Sequence, residues 1–164
     1  MRSLVLSACL CLAPLAGAAT PVAKALPGAE MRGQASFKFL GFQIYEARLF
    51  TKGGTPLDWS RDFGLELTYK RKLSQNDMIE GTLREMKRMG NAAPTRAQLK
   101  TCYQSVTPGD RYLAVSQGLD QLTFWRNERA VCTLSQKDIK AHFIAIFLGE
   151  DSRSRRFTRT LLGQ

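Results

Sequence analysis

Side chains that usually carry enzyme chemistry are scarce here: one histidine, His142, and four cysteines, Cys9, Cys11, Cys102 and Cys132, stand among 164 residues. A Ser-His-Asp relay would have to use His142. That residue falls inside an apolar segment holding Ile139, Phe143, Ile144, Ile146, Phe147 and Leu148, and no G-x-S-x-G turn presents a nucleophilic serine. The cysteine spacings match no zinc pattern, and one histidine cannot complete the usual three or four nitrogen and sulfur ligands, so neither a metal nor a cofactor is expected. A phosphate loop is missing too, because Gly53-Gly54 runs into Thr55-Pro56 and opens no helix. What remains is cationic. Near the C-terminus, Arg153, Arg155, Arg156 and Arg159 fall within seven residues with no acid among them. Such a cluster is either a solvated basic face or a site for an anionic lipid or acidic ligand.

The compartment narrows those options. Arg2 precedes the apolar run from Leu4 to Leu15, and Ala16-Gly17-Ala18-Ala19 follows, which is the charge, apolar core and small-residue order of a secretory signal peptide. Residues 1–19 are read as a cleavable signal, cut after Ala18 or Ala19, and the rest as periplasmic. The run is broken by Pro14 and Gly17 and is shorter than the roughly 20 residues that span a bilayer. Leu6-Ser7-Ala8-Cys9 has the form of a lipoprotein cleavage box but too little apolar sequence precedes it, so anchoring at Cys9 is not expected. Export argues against a nucleic-acid partner despite the net charge of +10. It also leaves Cys102 and Cys132 in an oxidising compartment, where they form one disulfide or remain two separately buried thiols.

The elements that must position any site can be read from periodicity. Residues 20–30, with Pro21, Pro27 and Gly28, read as an extended lead-in, and residues 31–164 as one domain. Gln34 to Phe50 fits two strands or one long bent strand, with Gly41 as the break or bulge. Phe63, Leu65, Leu67, Tyr69 and Leu73 fall on one face and Gly64, Glu66, Thr68, Lys70 and Lys72 on the other, the pattern of a half-buried antiparallel strand. Ser74 with Asp77 signals a helix start, and Met78, Ile79, Leu83, Met86 and Met89 follow at helical spacing until Gly90. A short helix is expected from Thr95 to Tyr103, then a meander of strands over Arg111 to Ser116, Leu122 to Arg126 and Ala130 to Leu134. Ser135 is read as the cap of the apolar helix that Gly149 ends, and a last helix is expected from Ser152. Strands around a helical block, followed by terminal helices, imply an α+β domain with an antiparallel sheet covered by helices on one side.

Three stretches resemble the exported bacterial chalcone isomerase-like proteins. They are Gly28-Ala29-Glu30-Met31-Arg32-Gly33 with Phe37-Lys38-Phe39 and Gln43-Ile44-Tyr45-Glu46-Ala47-Arg48-Leu49-Phe50; Leu67-Thr68-Tyr69-Lys70-Arg71; and Phe143 to Asp151 with Leu161-Leu162-Gly163. The resemblance implies a chalcone isomerase-like fold with a ligand cleft between sheet and helices. It implies a non-catalytic binder of a small amphipathic or acidic, fatty-acid-like molecule, with Arg32 meeting the acidic head and Tyr45 and Tyr69 as hydrogen-bond partners. The alternative it implies is an isomerase or intramolecular lyase in which Arg32 stabilises an enolate or phenolate. Against that alternative, Leu40 stands where the plant enzymes carry a threonine after a similar Lys-Phe pair, and Asn76 to Asn91 contains no tyrosine to match theirs.

Overall fold

The computed structural model describes residues 20–164; residues 1–19, read above as a signal, and Cys9 with them lie outside the described residues. Six strands form one antiparallel sheet in sequence order: β1 (Ala29–Phe39), β2 (Phe42–Lys52), β3 (Phe63–Tyr69), β4 (Arg111–Ser116), β5 (Gln121–Arg126) and β6 (Arg129–Ser135). Five helices accompany it: α1 (Pro21–Ala25), α2 (Gln75–Arg88), α3 (Arg96–Cys102), α4 (Ile139–Leu148) and α5 (Arg155–Leu161). No helix among the described residues is long and apolar enough to cross a membrane.

Strand register decides what the helices cover. Phe37 opposes Tyr45, Tyr45 opposes Tyr69, Ala47 opposes Leu67 and Leu49 opposes Leu65. The row continues with Leu67 opposite Tyr112, Leu65 opposite Ala114, Ala114 opposite Phe124 and Phe124 opposite Cys132. Because side chains alternate across a strand, these residues share one face. Met78, Ile79 and Met86 of α2, Leu99 and Cys102 of α3, the apolar residues of α4, and Phe157 and Leu161 of α5 close over it as the main core. Cys102 and Cys132 are joined by a disulfide that ties the end of α3 to β6.

Local signals set the helix starts. Ser74 Oγ accepts from the Asp77 amide and the Asp77 carboxylate accepts from the Ser74 amide; Thr95 and Gln98 form the same reciprocal box ahead of α3. The start of α4 differs from the sequence expectation. Ser135 stays in β6 opposite Gln121, and Asp138, at φ 56° with its amide bonded to Asp120, turns the chain into the helix without a side-chain cap. The cross-strand pairing holds Ser135 in the ladder. At the last helix the cap is Ser154, so α5 starts after Arg153 rather than at Ser152.

The opposite sheet face also differs from expectation. Residues 21–25, read as extended, form a helical turn capped by Thr20, and Val22 packs there with Phe50, Leu113 and Val115. Helices α2 to α5 therefore lie on one face and the five-residue α1 on the other. Strand β3 is in consequence buried on both sides over much of its length: Gly64 lies under Val22, and Glu66, 5% exposed, pairs with Arg48 of β2. Alternation of apolar and polar residues suggested a solvated face, but a glycine and a buried carboxylate paired with a partly exposed arginine occupy it.

Candidate functional site

Between the helix-covered face and α2 and α4 lies a cavity of about 840 Å³. Phe37, Leu65, Leu67, Ala114 and Phe124 form its sheet wall, and Met78, Phe143, Ile146 and Phe147 its helical wall. Exposed Lys38, Phe39, Asp77, Glu80 and Arg84 mark its mouth. A mainly apolar hollow of this size falls in the range of about 300–1,000 Å³ that holds small organic ligands.

Four tyrosines line it, and they divide into two pairs. Tyr103 Oη lies 3.1 Å from Thr82 Oγ1, and Tyr112 Oη accepts from the Gln104 amide at 2.9 Å. Those two hydroxyls serve the fold. Tyr45 and Tyr69 lie across the sheet from one another with ring centres 6.2 Å apart, and neither hydroxyl has a hydrogen-bond partner among the described residues. Each tyrosine is only 6% exposed, and desolvation pushes both phenols above their ordinary titration range. They remain neutral donors at physiological pH.

Arg153 supplies the charge. Its guanidinium lies over the Phe37 ring at 5.2 Å, its side chain is 27% exposed, and it borders the cavity with Ser154. The positive charge acts on both phenols, opposing part of the upward shift that burial imposes. Glu85 Oε2 sits 3.7 Å from Arg153 Nε, but the same oxygen accepts from Arg88 Nε at 3.0 Å. Two cations thus share one carboxylate; at Tyr45 the Arg153 charge favours and the Glu85 charge opposes ionisation of the phenol, while at Tyr69 Arg153 acts without Glu85. A guanidinium and two phenols aimed into an apolar hollow can receive a carboxylate.

Arg32 does not border this cavity. The register between Met31 and Gly33 slips, leaving Arg32 out of step in β1, and its Nε donates to the Leu162 carbonyl at 3.1 Å. There it meets the negative end of α5, which closes with Gly163 at φ 75° and amides of Gly163 and Gln164 bonded to the Thr160 and Arg159 carbonyls. Of the three residues singled out for ligand contact, the fold brings Tyr45 and Tyr69 together at the cavity and sends Arg32 to a helix end. Arg153, read with Arg155, Arg156 and Arg159 as one basic face, separates from them: the other three are exposed on α5. Its position one residue before the cap Ser154 is the signal that distinguishes it, since a residue ahead of a cap need not point along the helix face.

The sequence matches no family model and no curated protein. The structure is similar to the crystal structure of an Arabidopsis thaliana fatty-acid binding protein, with a TM-score of 0.62 at 10% identity, covering 83% of this chain and 87% of that one. The fold is chalcone isomerase-like. At this identity the likeness establishes the architecture of sheet and covering helices, and the chemistry must be argued from the cavity.

Proposed function

We propose that this chalcone isomerase-like chain is a non-catalytic carrier of an amphipathic acid of the fatty-acid type. The acyl tail lies between Leu65, Leu67, Phe124, Phe143 and Ile146, and the carboxylate meets Arg153 with hydrogen bonds from Tyr45 and Tyr69. The observation that carries this reading is the pair of buried, unpartnered phenols lining one cavity with a guanidinium whose acidic neighbour is already shared with Arg88. A structural neighbour that binds fatty acid supports it. The charge, apolar run and small residues of positions 1–19 support an exported, periplasmic carrier, and the quoted motifs support the bacterial exported branch of the fold. The isomerase alternative drew on Arg32, which the Leu162 carbonyl engages away from the cavity.

Calorimetric titration with palmitate tests the proposal. Arg153→Gln should weaken palmitate binding about tenfold or more, because a charge-assisted hydrogen bond contributes about 1.5–3 kcal/mol. Binding of the uncharged hexadecanol should change little. Absence of palmitate binding to the wild type, or equal affinity in Arg153→Gln, overturns the assignment.

A further inference from the structure

The β1–β2 hairpin ends on a surface that folding does not explain. Phe39, Leu40 and Phe42 are 60%, 80% and 57% exposed, and Phe39 pairs with Phe42 around the two-residue turn Leu40-Gly41. Both turn residues have positive φ, 48° at Leu40 and 81° at Gly41, the signature of a hairpin turn that prefers Asn-Gly. Leucine in the left-handed region is strained, and here it is the most exposed large hydrophobic residue among the described residues. An apolar residue thus occupies a conformation that disfavours it, at a point where it buries nothing.

Its surroundings are cationic. The Arg71 guanidinium lies 4.5 Å from the Phe42 ring centre, and the Lys70 amide donates to the Ile44 carbonyl, which brings exposed Lys70, Arg71 and Lys72 beside the hairpin. Exposed Lys38 is on the hairpin itself. The neighbouring acids at the cavity mouth have other partners: Asp77 caps α2 and Glu80 pairs with Arg96. Lys38 and Phe39 also border the cavity, so the apolar tip and its mouth adjoin.

We propose that the β1–β2 hairpin docks on an anionic lipid bilayer. Phe39, Leu40 and Phe42 enter the acyl boundary, Lys38, Lys70, Arg71 and Lys72 meet the headgroups, and the cavity mouth is held against the surface that contains amphipathic acids. The transfer role rests on the fatty-acid reading above; the docking does not.

Sedimentation with vesicles tests it, using the full chain and comparing phosphatidylglycerol mixed into phosphatidylcholine with phosphatidylcholine alone. The wild type should bind the anionic vesicles and lose that binding in about 1 M salt, where the screening length falls to about 3 Å. Leu40→Asn should reduce binding about tenfold, the scale expected when one buried leucine is lost, while its thermal midpoint holds or rises because Asn-Gly suits the turn. The double variant Lys38→Gln and Arg71→Gln should lose the preference for anionic lipid. Absence of wild-type binding, or equal binding by Leu40→Asn, overturns the proposal. So does a lipid-free dimer in ultracentrifugation that Leu40→Asn abolishes, because the hairpin would then serve a second copy of the chain. Palmitate affinity, titrated without vesicles, should be unchanged in Leu40→Asn. That titration fails if the carrier reading is wrong, whereas vesicle sedimentation fails if the docking reading is wrong.

Discussion

Arg32 Nε donates to the carbonyl of Leu162, 130 residues further along the chain, at 3.1 Å. Next to this bond, a Cβ placed on Gly33 would lie 2.3 Å from the Leu161 carbonyl oxygen, and one on Gly163 3.3 Å from the Arg32 guanidinium. The opening and closing motifs of the domain therefore interlock, with α5 seated on β1 by backbone contact. Arg32→Ala should loosen residues 155–164 in hydrogen exchange and lower stability by about 1 kcal/mol, leaving palmitate affinity unchanged. Gly33→Ala should cost about 2 kcal/mol or more in urea unfolding, since the neighbouring atom is backbone and cannot rotate away.

The phenols at the cavity should divide the same way in function as in hydrogen bonding. Tyr45→Phe and Tyr69→Phe remove unpartnered hydroxyls, so each should weaken palmitate binding severalfold, by about 1 kcal/mol, with little loss of stability. Tyr103→Phe removes the partner of Thr82 Oγ1, buried in the core, and should lower the unfolding midpoint instead. Paired titrations and melts of the three variants check this.

Alkaline stability should fall with a slope set by buried phenols. Tyr45, Tyr69 and Tyr103 have titration points raised by desolvation, so in the folded state they keep protons that the unfolded chain releases above about pH 10. The stability they contribute is fully present below that pH and is lost as pH climbs toward the folded values. Tyr69→Phe should make the decline shallower by up to about 1.4 kcal/mol per pH unit, measured as urea unfolding between about pH 9 and 11.

Loss of the disulfide should be felt chiefly through the unfolded chain. Cys102 and Cys132 are 30 residues apart, a loop for which the chain-entropy treatment gives about 3–4 kcal/mol. The double variant Cys102→Ala and Cys132→Ala should unfold at correspondingly lower urea, and reductant should lower the wild-type midpoint while leaving that of the variant unmoved.

On the α1 side, Arg48→Ala would leave the Glu66 carboxylate buried without its partner. The expected cost is about 3 kcal/mol in urea unfolding at neutral pH. Arg48→Met with Glu66→Leu should recover most of it, because the pair then needs no desolvated charge.

The elements were largely legible in the residues themselves. Alternation from Phe63 onward, the helix start at Ser74 with Asp77 and the break at Gly41 are local features, and local sterics and hydrogen bonding decide them. The two-residue period puts Tyr69 with Phe63, Leu65 and Leu67 on one face of β3, and it is cross-strand register that then sets Tyr45 opposite it. Which arginine reaches the cavity was a different kind of question. Arg32 and Arg153 are both polar residues next to glycine- or serine-marked boundaries, and nothing within a few residues of either separates a helix-end partner from a ligand partner. The answer depends on a slip of register in β1 and on α5 packing against that strand, contacts that span most of the chain. Likewise, Glu66 looked solvated by alternation and became buried once α1 and Arg48 covered it. Tertiary structure decided these points because they depend on the order in which distant segments meet, and side-chain periodicity carries no record of that order.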